Sequence, residues 1–132
     1  MVGKIQREEI REISPVERSE ETGSIVYFKG IVRKTENGKP LKFLHYEAEM
    51  ELGNQEIGKI IAESKEKFGI HDADVIHRVG DLKPGDVSLF VEVYSSHRDE
   101  GFEACKYIVD EIKRRVPIWK QDVYEDGTKS WH

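Results

Sequence analysis

A single cysteine, Cys105, stands among 132 residues, so no intramolecular disulfide can form. No run approaches the roughly 20 apolar residues that cross a bilayer, which argues against a membrane protein. Charged residues follow directly on Met1–Gln6, which leaves no signal-peptide core. Together these absences lead to the expectation of a reducing, cytoplasmic location. Positive charge is also in deficit, with 21 Lys and Arg against 26 Asp and Glu and a net charge of −5. Non-specific nucleic-acid binding needs a positive footprint that displaces counterions, so nucleic acid is not an expected partner. There is no phosphate-binding glycine loop ending in Gly-Lys-Ser/Thr, no GxGxxG, no HExxH and no CxxC. The five histidines, at 45, 71, 77, 97 and 132, do not pair at a metal-ligand spacing. Neither a metal nor a cofactor is therefore expected.

What is present is a dense mixture: 36% charged and 37% apolar residues, the apolar ones periodic rather than sparse. That combination fits one folded domain over residues 1–132. Val2–Gln6 reads as a short edge strand. Ser14-Pro15-Val16-Glu17 carries a cap, a first-turn proline and an acidic residue three places on, and predicts a short helix ending near Gly23. Gly23–Val32 and Leu41–Ala48 read as strands, separated by a polar loop, 33–40, with an Asn37-Gly38 turn signal. Ile57, Ile60, Ile61 and Phe68 mark one face of a helix from about Gly53 to Phe68, which Gly69 caps. Asp74–Val79 and Val87–Ser95 read as strands joined by a loop over 80–86. A second helix spans roughly Asp99–Arg115, with Phe102, Cys105, Ile108, Val109 and Ile112 as its buried stripe and Pro117 as its stop. Ile118–Tyr124 and Lys129–Trp131 predict a closing hairpin around Asp126-Gly127. The fold class is α+β, with a mixed or antiparallel sheet and packed helices, because strict strand–helix alternation is missing.

Three stretches carry candidate chemistry. Arg33 ends a strand and offers a planar donor fork suited to phosphate. Taken alone, it is better explained as a solvated strand-end arginine. His97-Arg98 sits at a helix start, where free N–H groups and the dipole favour an anion. Two readings stand there: an anion site, or a helix capped by Ser96 with both residues merely exposed. Lys113 complements the dipole of the last helical turn, but Lys120 follows the proline break and could converge on it, with Trp119 shielding the pair. A lysine near other cations or in a dry pocket can act as a base or nucleophile. His77 reads as packed or interfacial rather than catalytic, and Cys105 as a small core residue.

Gly23–Arg33 (GSIVYFKGIVR), Tyr46-Glu47-Ala48, His77-Arg78-Val79-Gly80, Ser96-His97-Arg98 and Pro117-Ile118-Trp119-Lys120 together resemble the large, catalytic subunit of molybdopterin synthase. They occur in that family's order and span most of the chain. The resemblance implies an α+β, hammerhead-like fold. It further implies a sulfurtransferase that converts cyclic pyranopterin monophosphate, precursor Z, into molybdopterin by inserting two dithiolene sulfurs. The sulfur would arrive as a thiocarboxylate on the C-terminal Gly-Gly of a small ubiquitin-like partner subunit. The chain would form a homodimer at the centre of a heterotetramer.

Carried over by motif, Lys113 and Lys120 are the catalytic lysines. Ile31, Val32, Arg33, His97, Arg98, Lys113, Lys120, Gln121 and Asp122 bind substrate, with His97 and Arg98 reaching the neighbouring subunit's pocket. Phe28 meets the partner's tail. Gln121-Asp122 departs from the Lys/Arg-Glu that many relatives place after the final lysine. Glu49–Asn54 departs from a usual aromatic-containing segment, and many relatives run on beyond the closing tryptophan. The competing reading is a non-catalytic module that holds a phosphorylated metabolite or a ubiquitin-like partner.

Overall fold

β-Branched and aromatic runs alternate with two helical stretches, and the chain sorts them into two sheets with the helices on one of them. The computed structural model describes residues 1–11 and 20–132. The helix expected to begin at Ser14-Pro15 lies outside the described residues. The elements are β1 (Val2–Gln6), β2 (Ser24–Ile31), β3 (Thr35–Glu36), β4 (Lys39–Ala48), α1 (Met50–Phe68), β5 (Asp72–Arg78), β6 (Gly80–Leu82), β7 (Val87–Ser95), α2 (Arg98–Arg115), β8 (Ile118–Tyr124) and β9 (Lys129–Trp131).

The first sheet has the order β1-β5-β7-β2 and is mixed: β1 runs parallel to β5, and the other neighbours are antiparallel. The second is antiparallel, ordered β3-β4-β8-β9, with β6 also paired to β4. This is the expected α+β class.

Helices α1 and α2 cover one face of the first sheet. Ile57, Ile60 and Ile61 of α1 and Ala104, Ile108 and Ile112 of α2 meet Val75, Val91 and Val93 of the central strands, and all are buried. The approach is close at Gly101, where a Cβ would stand 2.8 Å from the Ser95 Oγ of β7. A side chain there would push the first turn of α2 off the sheet. A second, smaller cluster of Val32, Leu41, Leu44, Leu82 and Tyr124 lies under the second sheet. Across the two helices, Arg115 bonds Glu63 and Glu56, which ties the end of α2 to α1.

Three expectations are refined. Residues 33–40 hold a hairpin: β3 and β4 turn at Asn37 and Gly38, whose φ values of 51° and 74° suit the tight turn that Asn-Gly favours. The loop over 80–86 contains the short strand β6. Phe102 is a correction, because it is 59% exposed. It lies two positions from Ala104 and three from Cys105, and on a 3.6-residue period it falls to the solvent side of the stripe that Ala104, Cys105 and Ile108 bury. Among the described residues no helix is long and apolar enough to cross a membrane.

Ile108 is fully buried between both helices and the sheet. Ile108→Ala is expected to lower the unfolding free energy by about 2–5 kcal/mol, read from chemical denaturation. A loss below 1 kcal/mol would contradict its place in the core.

Candidate functional site

The seam between the two apolar clusters opens as a cavity of about 500 Å³. Its floor comes from both clusters: Leu89, Ile112 and Val116 on one side, Leu41 and Leu44 on the other. The size falls within the range of small-molecule sites.

Strand β2 supplies one wall. Its pairing with β7 shifts register between Gly30 and Ile31. Phe28, Ile31, Val32 and Arg33 all line the cavity. Val32 does so from a buried position, with its N–H donating to the Asp86 carbonyl at 3.0 Å. The Arg33 guanidinium grips both oxygens of Glu36, at 2.7 and 2.8 Å. An incoming phosphate must therefore share or displace that carboxylate.

The end of α2 and the start of β8 supply the lysines. The helix stops at Arg115, Pro117 blocks its continuation, and β8 returns along β4. Lys113 and Lys120 thereby reach one cavity, and neither has an ion-pair partner among the described residues. Side chains alternate along β8, so its two faces separate sharply. Lys120 lies opposite Tyr46 and Asp122 opposite Leu44 on the cavity face, whereas Trp119 lies opposite Glu47 and Gln121 opposite His45 on the other. The Trp131 ring stands against His45 on that outer face. Two expectations change as a result. Trp119 is on the wrong face to shield Lys120, a task that falls to Tyr46 and Ile118. The Gln121 side chain is not part of the cavity wall. Asp122 is on the cavity face but fully buried, with its Oδ2 2.5 Å from His132 Nε2.

His97 and Arg98 are elsewhere. They begin α2, and fifteen residues at 1.5 Å each put them about 22 Å from Lys113. The His97 side chain is 86% exposed, and its backbone N–H donates to the Glu100 carboxylate at 2.8 Å. Ser96 does not cap the helix, because its hydroxyl pairs with His71 Nε2 at 2.9 Å. One chain thus assembles Arg33, Lys113 and Lys120 but not the His97-Arg98 pair.

The cavity also contains Glu36, Ser88 and His132, which no motif includes, and Tyr46 and His77, which lie in family motifs without an assigned part in the site. Their link to Lys120 runs through strand register, which spacing alone does not reveal. His77 is packed, as expected, yet it also faces the cavity. Its Nδ1 lies 2.8 Å from the Arg78 carbonyl, which can only accept, so Nδ1 carries the proton. Burial pulls its pKa down to about 4, leaving a neutral ring edge-on to Tyr46 at 5.2 Å. Burial likewise raises the Tyr46 pKa. The buried Cys105 thiol is pushed up to about 11, so it is not a nucleophile. Free cations, neutral polar rings and an apolar floor suit a flat, anionic small molecule.

The family model described as "MoaE protein" matches residues 4–115, and the chain belongs to that family. It is 42% identical over 127 residues to the molybdopterin synthase catalytic subunit of Thermoplasma volcanium, covering 92% of this chain and 93% of that protein. The crystal structure of molybdopterin synthase from Staphylococcus aureus superposes with a TM-score of 0.89 at 31% identity, over 98% of this chain and 96% of the other. A complex of subunits 1 and 2 of molybdopterin-converting factor from Helicobacter pylori shares the fold, with a TM-score of 0.70 at 23% identity over 84% and 72% of the two chains. The chain therefore stands among the catalytic subunits that build molybdopterin for the molybdenum cofactor.

His77 also predicts a pH effect. A histidine whose folded pKa is depressed from 6.5 to about 4 favours folding fully above pH 6.5. That contribution is lost as pH falls from 6.5 through 4, because the unfolded chain takes up the proton first. In urea titrations across pH 4–7, His77→Asn should flatten this part of the stability profile. An unchanged slope would show that His77 is not held neutral.

Proposed function

We propose that this chain is a sulfurtransferase that inserts two dithiolene sulfurs into cyclic pyranopterin monophosphate, drawing them from the thiocarboxylated C-terminus of a small ubiquitin-like subunit. The observation that carries the reading is the convergence on one cavity of about 500 Å³ of Lys113 and Lys120, which have no ion-pair partner among the described residues. Phosphate and pterin would occupy the cavity with Arg33 at its mouth and Ile31 and Val32 along its wall. The partner's tail would enter past Phe28, which is one-third exposed at the rim. The lysine ammoniums would stabilise the anionic tetrahedral species formed at the thiocarboxylate carbon, and would hold charge as the cyclic phosphate opens. Sulfur joined to the substrate remains acyl-linked to its carrier, so water must complete each transfer.

The 22 Å between His97-Arg98 and Lys113 is the reason for a homodimer in this reading: the pair would serve the cavity of a second copy. With a small subunit on each outer end, the assembly becomes a heterotetramer. Gln121 would contribute through its backbone, and Asp122 through the side chain above it. A buried, unreactive cysteine and the absence of a long apolar helix among the described residues accord with work in the cytoplasm.

Reconstitution with precursor Z and thiocarboxylated partner tests the assignment. Lys113→Ala and Lys120→Ala should each cut molybdopterin formation by about 100-fold or more, with thermal unfolding unchanged because neither side chain is buried. Near wild-type rates in both variants would sink the roles assigned. Stoichiometric binding without sulfur incorporation by the wild type would favour an adaptor instead.

A further inference from the structure

We propose that His132 is a further acid–base residue of this cavity and that buried Asp122 is the positioning residue acting through it. The geometry begins with strand pairing. The His132 N–H donates to the Lys120 carbonyl at 2.8 Å, and the Lys120 N–H lies 3.5 Å from the His132 carbonyl. This reciprocal pattern is the closely bonded antiparallel pair, whose side chains leave the same face with Cβ atoms roughly 5 Å apart. Both side chains line the cavity.

The second observation lies beneath them. Asp122 is fully buried, and its Oδ2 meets His132 Nε2 at 2.5 Å, with the Tyr124 hydroxyl a longer contact at 3.4 Å. Its Oδ1 is buried without a hydrogen-bond partner among the described residues. Burying a carboxylate with one oxygen unmet costs stability, and an apolar residue opposite Leu44 would avoid that cost. What the carboxylate supplies is orientation. It accepts the Nε2 proton, which fixes the ring and leaves Nδ1 as the atom able to take or give a proton. His132 itself is less than half exposed, open enough to meet a reactant and held from below.

The inference rests on the sulfur-transfer reading and concerns its hydrolytic half. Water oxygen bonds to the acyl carbon that links substrate sulfur to the partner's C-terminus. One water proton passes to His132 Nδ1, giving an imidazolium held by Asp122. The acyl carbon–sulfur bond then breaks, and its electron pair stays on the substrate as a thiolate. The partner leaves as a carboxylic acid, which ionises into solvent, and His132 returns its proton to solvent before the next cycle. Lys113 and Lys120 offset the negative charge that passes over the acyl oxygen.

The experiment compares the wild type with H132A, H132Q and D122N, following sulfur incorporation and release of carboxylate-ended partner by mass spectrometry. H132A should lose roughly 100-fold or more in kcat, with KM changed less than about threefold and partial rescue by imidazole in the buffer. H132Q can still bond Asp122 but cannot carry a proton, and should remain as slow as H132A. D122N should lower kcat and respond weakly to added imidazole; if it unfolds, the partly exposed His132 variants still decide the matter. H132A within about threefold of an active wild type would overturn this inference alone, as would full activity in H132Q. A wild type that transfers no sulfur would overturn the sulfur-transfer reading itself, and this inference with it.

Discussion

The register between β4 and β8 is the constraint on which the site depends. It sets Lys120 against Tyr46 and Asp122 against Leu44. Side chains alternate across a strand, so a slip of one residue would turn Lys120 to solvent and bring Trp119 and Gln121 inward. Two features hold the register. Pro117 ends α2 and launches β8 at a fixed point, and the apolar cluster of Leu41, Leu44, Leu82 and Tyr124 buries only one of the two possible faces. Lys113 depends on the same arrangement from the other side, since Ile112 and Val116 beside it anchor the end of α2 in the main core.

The electrostatics of the cavity differ from those of the whole chain. Among the described residues an acidic protein keeps two lysines here without carboxylate partners, while nearby cations are heavily paired. Arg115 is shared among Glu56, Glu63 and Glu111, and Arg114 rests on Glu111. Arg33 is intermediate between these cases, held by Glu36 at the rim. The distribution separates cations that tie helices together from cations left to bind something else. Burial completes the contrast by keeping His77 neutral, so that among the described residues the lysines and the rim arginine bring the permanent positive charge to the wall.

Much of this was legible in the sequence where local chemistry decides. The period of Ile57, Ile60 and Ile61, the Asn37-Gly38 turn, the Pro117 stop and the Asp126-Gly127 hairpin each act within a few residues, and each appears where expected. The failures have a common cause. Phe102 sits at the edge of an apolar stripe and Trp119 beside Lys120 along the chain, whereas helix phase and strand alternation turn both to the other side. His132, and the place of Tyr46 beside Lys120, are not visible in the motifs because both meet Lys120 across neighbouring strands, a relation carried by register. The His97-Arg98 pair was recognisable by motif, but its distance from the lysines follows from the length of α2, which only the folded chain converts into space.

That length has a mechanical meaning. Helix α2 is a single rod packed along one side from Gly101 through Ala104 and Ile108 to Ile112, with a basic group at each terminus. Tilting such a rod by about 5° about its centre moves each end by about 1 Å in opposite directions. Displacements of that size at a reacting centre can alter rates a hundredfold. Core packing along α2 therefore aligns both termini at once, and a volume change at Ile108 that tilts the rod is felt about 15 Å away at Arg98 and about 7 Å away at Lys113.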